Sequence, residues 1–249
     1  MALATERSLP RHVQFVWHGA NNRANLRQFL ASNIQWAEVD VRLDPSAGQL
    51  VLRHDPLGEP SAGSDSVPML LEEAVEATRF FGKSLKLDLK EGGRTLDRIV
   101  ETLASRGVDS SRLWFNGNVE VLREPGFRRL SRIFPGAVIQ CPIDFAADMV
   151  LNQPDQAREL LKTLRGWGIN RFSVNWATPG KQRLLDRLDR WGYAMNIYNV
   201  PDLESFLRAV LLLPKSITSD FNFPQWHYFG MGSGEAGRHH HYALAKAAS

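Results

Sequence analysis

The sequence predicts a closed (β/α)8 barrel with a hairpin extension after the second strand. Eight short apolar runs alternate with stretches of helical spacing over about 220 residues, the rhythm of strands joined by crossover helices. No Gly-x-Gly-x-x-Gly follows the first run, so the main signature of an open doubly wound sheet is missing. Polar residues collect at the C-terminal ends of the runs, where barrel enzymes place their sites.

The elements follow in order. VQFVWH, from Val13 to His18, is the first strand, and ANLRQFLASN sets Leu26, Phe29 and Leu30 at helical spacing. AEVDVRL is the second strand; a Pro-Ser-Ala-Gly turn then leads to LVLRHD as the hairpin. MLLEEAVEATRFF is helical, SLKLDLK alternates as a strand, and TLDRIVETLASRG is a helix closed by glycine. LWFNGN, AVIQCPI, RFSVNW, AMNIYNV and KSITSDF supply five more strands. Between them GFRRLSRIFP, PDQARELLKTLRGWG, GKQRLLDRLDRWG and DLESFLRAVLLL read as helices. The domain is expected over 13–229, after an N-terminal extension of residues 1–12. The Gly-rich tail 230–249 is expected to be mobile, and its His239-His240-His241 run is set aside as part of it.

Composition narrows the function. Lys and Arg number 30 against 27 Asp and Glu, a formal charge of +3 with no long basic run, so nucleic acid is not an expected partner. Cys141 is the single cysteine, so no intrachain disulfide is possible; it reads as a small core residue. MALATERSLPRH lacks the apolar core of a secretory signal, and FLRAVLLLP is far too short for a membrane span. The expected compartment is the cytoplasm.

Glu38 and Asp40 fall on one face of the second strand, because residues two apart in a strand point the same way. Two adjacent buried carboxylates repel unless positive charge lies between them. Arg42 or Arg53 could supply it, and Asp88 and Lys90, two apart on the third strand, could satisfy each other. The set is larger than any one pair, since His18 ends the first strand and His54 ends the hairpin. Three carboxylates, Glu38, Asp40 and Asp88, favour a hard cation, Mg²⁺ or Ca²⁺, over zinc. Two histidines beside such an ion suit general acid and general base, and Lys90 suits developing negative charge. Together they are the parts for phosphodiester cleavage.

The order His18, Glu38-Val39-Asp40, His54, Asp88-Leu89-Lys90 resembles the phosphatidylinositol-phospholipase-C-like phosphodiesterases. That superfamily includes glycerophosphodiester phosphodiesterases and sphingomyelinase D toxins. In detail the chain is most similar to the menorin branch: His18-Gly-Ala-Asn21-Asn22-Arg23, Lys86 to Lys90, and Trp114-Phe-Asn116. The resemblance runs from Val13 to Trp226. It implies His18 and His54 as the acid/base pair, Lys90 on the phosphoryl oxygens, and Glu38, Asp40 and Asp88 as metal ligands. It also implies a small phosphodiester or lysophospholipid-like substrate, cleaved through a cyclic phosphate where a substrate hydroxyl attacks. Asn21, Arg23, Arg53, Asn116, Asn175, Tyr198 and Trp226 are expected to contact that substrate. The chain departs from glycerophosphodiesterases after His18, where Gly-Ala-Asn-Asn replaces their Arg-Gly and Pro-Glu-Asn-Thr, so the reaction class carries over better than the substrate.

Two rival readings stand beside this one. A catalytically silent barrel would bind a phosphorylated ligand or a protein partner without turnover. A glycosidase would use paired carboxylates without a cation or Lys90. Trp17, Trp114, Trp176 and Trp226, near the strand tops, could line an apolar pocket for a lipid-like leaving group.

Overall fold

The computed structural model describes residues 13–59 and 67–220, so Trp226, the N-terminal extension and the C-terminal tail lie outside it. Its first half runs β1 (Gln14–Trp17), α1 (Arg23–Ala31), β2 (Trp36–Asp44), β3 (Gln49–Leu52), α2 (Leu71–Phe80), β4 (Ser84–Leu89) and α3 (Arg94–Ser105). β5 (Leu113–Asn116), α4 (Val119–Ile133), β6 (Val138–Pro142), α5 (Ala147–Asn152), α6 (Pro154–Gly166) and β7 (Arg171–Asn175) follow. The series ends with α7 (Lys181–Arg190), β8 (Met195–Val200), α8 (Leu203–Leu211) and β9 (Ser216–Ser219).

Eight of these strands pair in parallel in the order β1-β9-β8-β7-β6-β5-β4-β2, and β1 pairs back to β2 with Val16 opposite Trp36, closing the barrel. β3 runs antiparallel to β2, with Asp44 opposite Gln49 across a turn that Gly48 completes at φ 66°. Asp44 steadies the turn by accepting from the Ser46 amide at 2.8 Å.

Strand alternation divides the residues into two sets with different surroundings. Ala37, Val39 and Val41, Leu85, Leu87 and Leu89, Phe115, Ile139, Phe172, Val174 and Ile197 face outward into one large apolar layer under the helices. The inward set is mostly polar above a separate apolar floor of Val16, Trp36 and Trp114. Fully buried Trp114 meets Trp36 edge-on at 5.5 Å between ring centres. Two cations rest on the Trp114 ring, Arg171 at 4.5 Å and Lys86 at 5.2 Å. Burial lowers the Arg171 guanidinium to about 10.

The helices start where caps allow. Asn22 accepts from the Asn25 amide at 2.7 Å to open α1, and Asp202 accepts from the Ser205 amide at 2.7 Å to open α8. α4 departs from expectation. It begins at Val119, well before GFRRLSRIFP, and is broken by Arg123 at φ 52° and ψ 177°. Pro125 falls two residues past the break, in the first turn of the second helical segment, where its missing N–H costs no helical hydrogen bond. α5, an amphipathic stretch too short for the 3.6-residue period to register, is a further addition.

Candidate active site

Inward-facing side chains near the C-terminal ends of the strands enclose a cavity of about 320 Å³. Its lining includes His18, Glu38, Asp40, His54, Lys86, Asp88, Lys90, Asn116, Gln140, Tyr198 and Thr218. All six residues assigned to catalysis and metal binding therefore meet in one place.

The parallel pairing of β2 with β4 sets the charges in layers, with Glu38 beside Lys86 and Asp40 beside Asp88. The ion-pair partners of Glu38 and Asp40 are lysines and not Arg42 or Arg53. Lys86 Nζ lies 3.2 Å from Glu38 Oε1 and donates to Thr218 Oγ1 at 3.0 Å. One layer up, Lys90 Nζ bridges Asp40 Oδ1 at 2.9 Å and Asp88 Oδ2 at 2.7 Å. Arg42 instead reaches Glu91 at 3.2 Å and donates to the His54 carbonyl at 2.7 and 3.0 Å, which fixes the backbone under that histidine.

These neighbours shift the titrations in opposite directions. Burial alone would raise the Asp40 carboxyl, but the Lys90 ammonium and the His18 imidazole, with hydrogen bonds from Lys90 and Asn21, hold it at about 2. The Asp88 carboxyl is raised, by burial first and then by the charges of Asp40 and Glu38, more than Lys90 offsets. Lys90 is pushed up despite its burial, because two carboxylates hold its proton.

His18 stands just past β1 with Nε2 3.9 Å from Glu38 Oε2. His54 is at the rim, 46% exposed in its side chain, with Nδ1 3.1 Å from Asp55 Oδ1. Asn116 donates to Asp88 Oδ1 at 2.6 Å and accepts from Gln140 at 2.7 Å, so an amide chain from β6 through β5 orients that carboxylate.

Several residues expected on the substrate lie elsewhere. Asn21 grips Asp40 at two points, donating to Oδ2 at 2.6 Å and accepting from its backbone N–H at 2.8 Å. Arg23 is turned away, forked onto Glu73 at 2.9 and 2.7 Å and donating to the Val67 carbonyl. Arg53 donates to the carbonyls of Asp55 and Glu59 at 2.8 and 2.7 Å. Asn175 is not among the lining residues, and its backbone N–H donates to Asp144 Oδ1 at 2.7 Å. Only Asn116 and Tyr198 of that group line the cavity among the described residues. Among the described residues the tryptophans of that set do not make an apolar pocket: Trp17 is buried with its N–H on Asn25, Trp114 is the floor of the barrel, and Trp176 carries Lys181 at 4.4 Å.

Lys86 and Asp144 are functional candidates the sequence reading passed over. Lys86 was within reach of it, since it precedes Asp88 by two in an alternating strand and so shares its face. Asp144 had no such signal: it opens a single 3₁₀ turn after β6, and only folding brings it to the hydroxyl of Tyr198 at 2.7 Å.

A hard divalent cation can be tested against this set. The donors are carboxylate oxygens only, and Glu38 Oε2 is buried without a hydrogen-bond donor, an acidic oxygen that positive charge would satisfy. Among the described residues no three acidic, His or Cys groups converge closely enough to hold an ion as they stand. Lys90 accounts for that, since its ammonium already takes one oxygen from each aspartate. The chemistry of the donors fits such an ion, which would have to share the aspartates with Lys90.

No family model matches the chain, and no curated protein matches it by sequence. Solved structures do match. A phosphodiesterase from Oleispira antarctica, determined with the product sn-glycerol-3-phosphate, aligns at TM-score 0.64 and 18% identity over 85% of this chain and 93% of its own. A putative glycerophosphoryl diester phosphodiesterase from Agrobacterium tumefaciens aligns at TM-score 0.66 and 13% identity, over 83% and 93%. A glycerophosphodiester phosphodiesterase from Thermotoga maritima aligns at TM-score 0.60 and 17% identity, over 84% and 95%. No helix among the described residues is long and apolar enough to cross a membrane. The chain shares the barrel fold of the glycerophosphodiester phosphodiesterases.

Proposed function

We propose that this protein is a metal-assisted phosphodiesterase that cleaves a small phosphodiester by general acid and base catalysis between His18 and His54. The observation that carries the reading is that both histidines line one cavity with Lys90 and three carboxylates. A cavity of about 320 Å³ is at the small end of ligand sites, which suits a compact diester better than a two-chain lipid. Its lining has few apolar side chains, Val121 and Pro142 among them. The shared fold with an enzyme determined with sn-glycerol-3-phosphate supports a glycerol-phosphate-like diester.

In this reading one histidine takes the proton of the nucleophile, and the new P–O bond forms as the P–O bond to the alcohol breaks. The other histidine gives its proton to the departing alkoxide. With water as nucleophile the products are a phosphomonoester and an alcohol; with a neighbouring substrate hydroxyl they are a cyclic phosphate and an alcohol. Lys90, fixed by Asp40 and Asp88, offers its ammonium to the phosphoryl oxygens. Asn21 and Asn116 keep those two carboxylates from turning. Glu38, Asp40 and Asp88 would hold the cation, which supplies Lewis-acid polarisation of a phosphoryl oxygen when bound. The finer likeness to the menorin branch rests on the motifs around His18, Lys86 and Trp114.

The test is turnover of glycerophosphodiesters, lysophospholipids and a chromogenic diester, each with Mg²⁺, Ca²⁺ or EDTA. Turnover of at least one diester, abolished by EDTA and restored by one cation, is expected. A silent panel with intact phosphate binding would favour a binding barrel, a reading supported by the commitment of Lys90 to two carboxylates.

A further inference from the structure

A second cavity, of about 300 Å³, opens on the opposite end of the barrel, between the turns that lead into β4 and β5. Its floor is apolar, with Val75 from α2 and Leu85 and Leu113 from the strand starts. Three cations line it, Arg79, Lys83 and Arg112, against a single carboxylate, Asp109. Arg79 and Arg112 have no ion-pair partner among the described residues. Arg79 donates to the Arg106 carbonyl at 3.3 Å and Arg112 to the Lys83 carbonyl at 3.4 Å, both long contacts. The acids nearby are engaged elsewhere. Asp109 accepts from the Ser111 amide at 2.9 Å, and Glu72 and Glu76 each lie 3.6 Å from Arg106.

The same turn carries two aromatic rings in water. Phe80 is 85% exposed, the most of any large apolar side chain among the described residues, and Phe81 is 55% exposed. Their rings meet edge-on at 5.2 Å, so they form one patch beside the two arginines. A second copy of the chain is a poor cover for it, because a two-fold contact would bring the arginines of both copies together. An anionic lipid surface satisfies both halves, with negative headgroups for the guanidiniums and an apolar layer just below for the rings. We propose that this face docks on an anionic phospholipid surface, with Phe80 and Phe81 submerged and a headgroup phosphate held between Arg79 and Arg112. Docked this way, the cavity that holds His18 and His54 opens away from the bilayer towards water. The proposal does not depend on the phosphodiesterase reading of that cavity.

The test is co-sedimentation of the full chain, in EDTA, with vesicles of phosphatidylcholine alone or mixed with phosphatidylserine. Wild type is expected to sediment with the mixed vesicles, and to be released as salt rises from about 0.1 to 0.5 M. Phe80→Ser/Phe81→Ser should lower the partition coefficient at least about tenfold. Arg79→Gln/Arg112→Gln should lower it about ten- to thirtyfold. All four side chains are exposed, so urea midpoints should match wild type and show that the fold is intact. No sedimentation of wild type, or equal binding to phosphatidylcholine alone, overturns the proposal. So does vesicle binding that survives in both double variants. A concentration-dependent dimer that Phe80→Ser/Phe81→Ser dissolves would also overturn it, with a second copy as the true cover.

Discussion

Glu38 and Lys86 are partners across two parallel strands, and their side chains meet inside the barrel with Lys86 Nζ 3.2 Å from Glu38 Oε1. Lys86 is 1% exposed and Glu38 8% in their side chains, so neither charge has water to fall back on. Lys86→Met should cost about 3–5 kcal/mol by stranding the carboxylate, and the double variant Lys86→Met/Glu38→Gln should recover most of that. Urea midpoints decide it: a double variant as unstable as Lys86→Met alone would show that the pair is not coupled.

The acid limb of stability should report Asp40. Its carboxyl is held at about 2, below its ordinary 3.8, so the folded state binds that proton more weakly than the unfolded chain does. The resulting stability, about 2 kcal/mol, is fully present above pH 3.8 and is lost as pH falls towards about 2. Asp88 works the other way, because its raised carboxyl binds the proton more tightly in the fold. With EDTA present, Asp40→Asn should flatten the fall in stability between about pH 4 and 2, whereas Asp88→Asn should act above pH 3.8, removing the stability that the fold gains there as falling pH protonates Asp88. Unchanged slopes would contradict both assignments.

The outward half of each strand was legible in the sequence because it repeats every second residue. Leu85, Leu87 and Leu89 announce a strand, and the even positions between them must then face the other way. That is why the sequence alone groups His18, Glu38, Asp40, Asp88 and Lys90, and why the Asp88–Lys90 contact is foreseeable from it. Pairing across strands was not legible. Nothing in the chain says that residue 38 lies beside residue 86, so Arg42 and Arg53 stood in for the lysines. Loop residues failed for a related reason. Arg23 is near His18 in sequence but is drawn off by Glu73, fifty residues away, and Asp144 meets Tyr198 only where the 3₁₀ turn after β6 reaches β8.

Gly92 should not tolerate a side chain. A Cβ there would sit 2.3 Å from the Val121 carbonyl oxygen, a backbone atom with little room to move. Gly92→Ala should therefore cost about 1–3 kcal/mol and lower turnover, because the loop after Lys90 is forced off the Val121 wall of the cavity. Gly166→Ala, at the end of α6 where a Cβ meets nothing within 4 Å, is the control and should leave turnover unchanged and stability equal or slightly higher. A Gly92→Ala protein as stable and active as wild type would refute the close approach.

Lys90 and the cation should compete for the same carboxylates. Lys90→Met is expected to bind Mg²⁺ or Ca²⁺ at least as tightly as wild type by calorimetry, while losing about 10²–10³-fold in turnover with the phosphoryl contact. Cation binding weakened along with turnover would mean that the ammonium supports the ion and does not compete with it.

The central claim, that His18 and His54 divide acid and base work on a phosphodiester, is tested most directly by leaving-group dependence. Turnover of an alkyl diester and a nitrophenyl diester would be compared for wild type, His18→Ala and His54→Ala. Both variants should lose about 10²–10⁴-fold on the alkyl ester. The variant lacking the acid should regain most of its rate on the nitrophenyl ester, whose phenolate leaves without a proton, and the variant lacking the base should not. Equal, small losses on both esters in both variants would contradict the assignment.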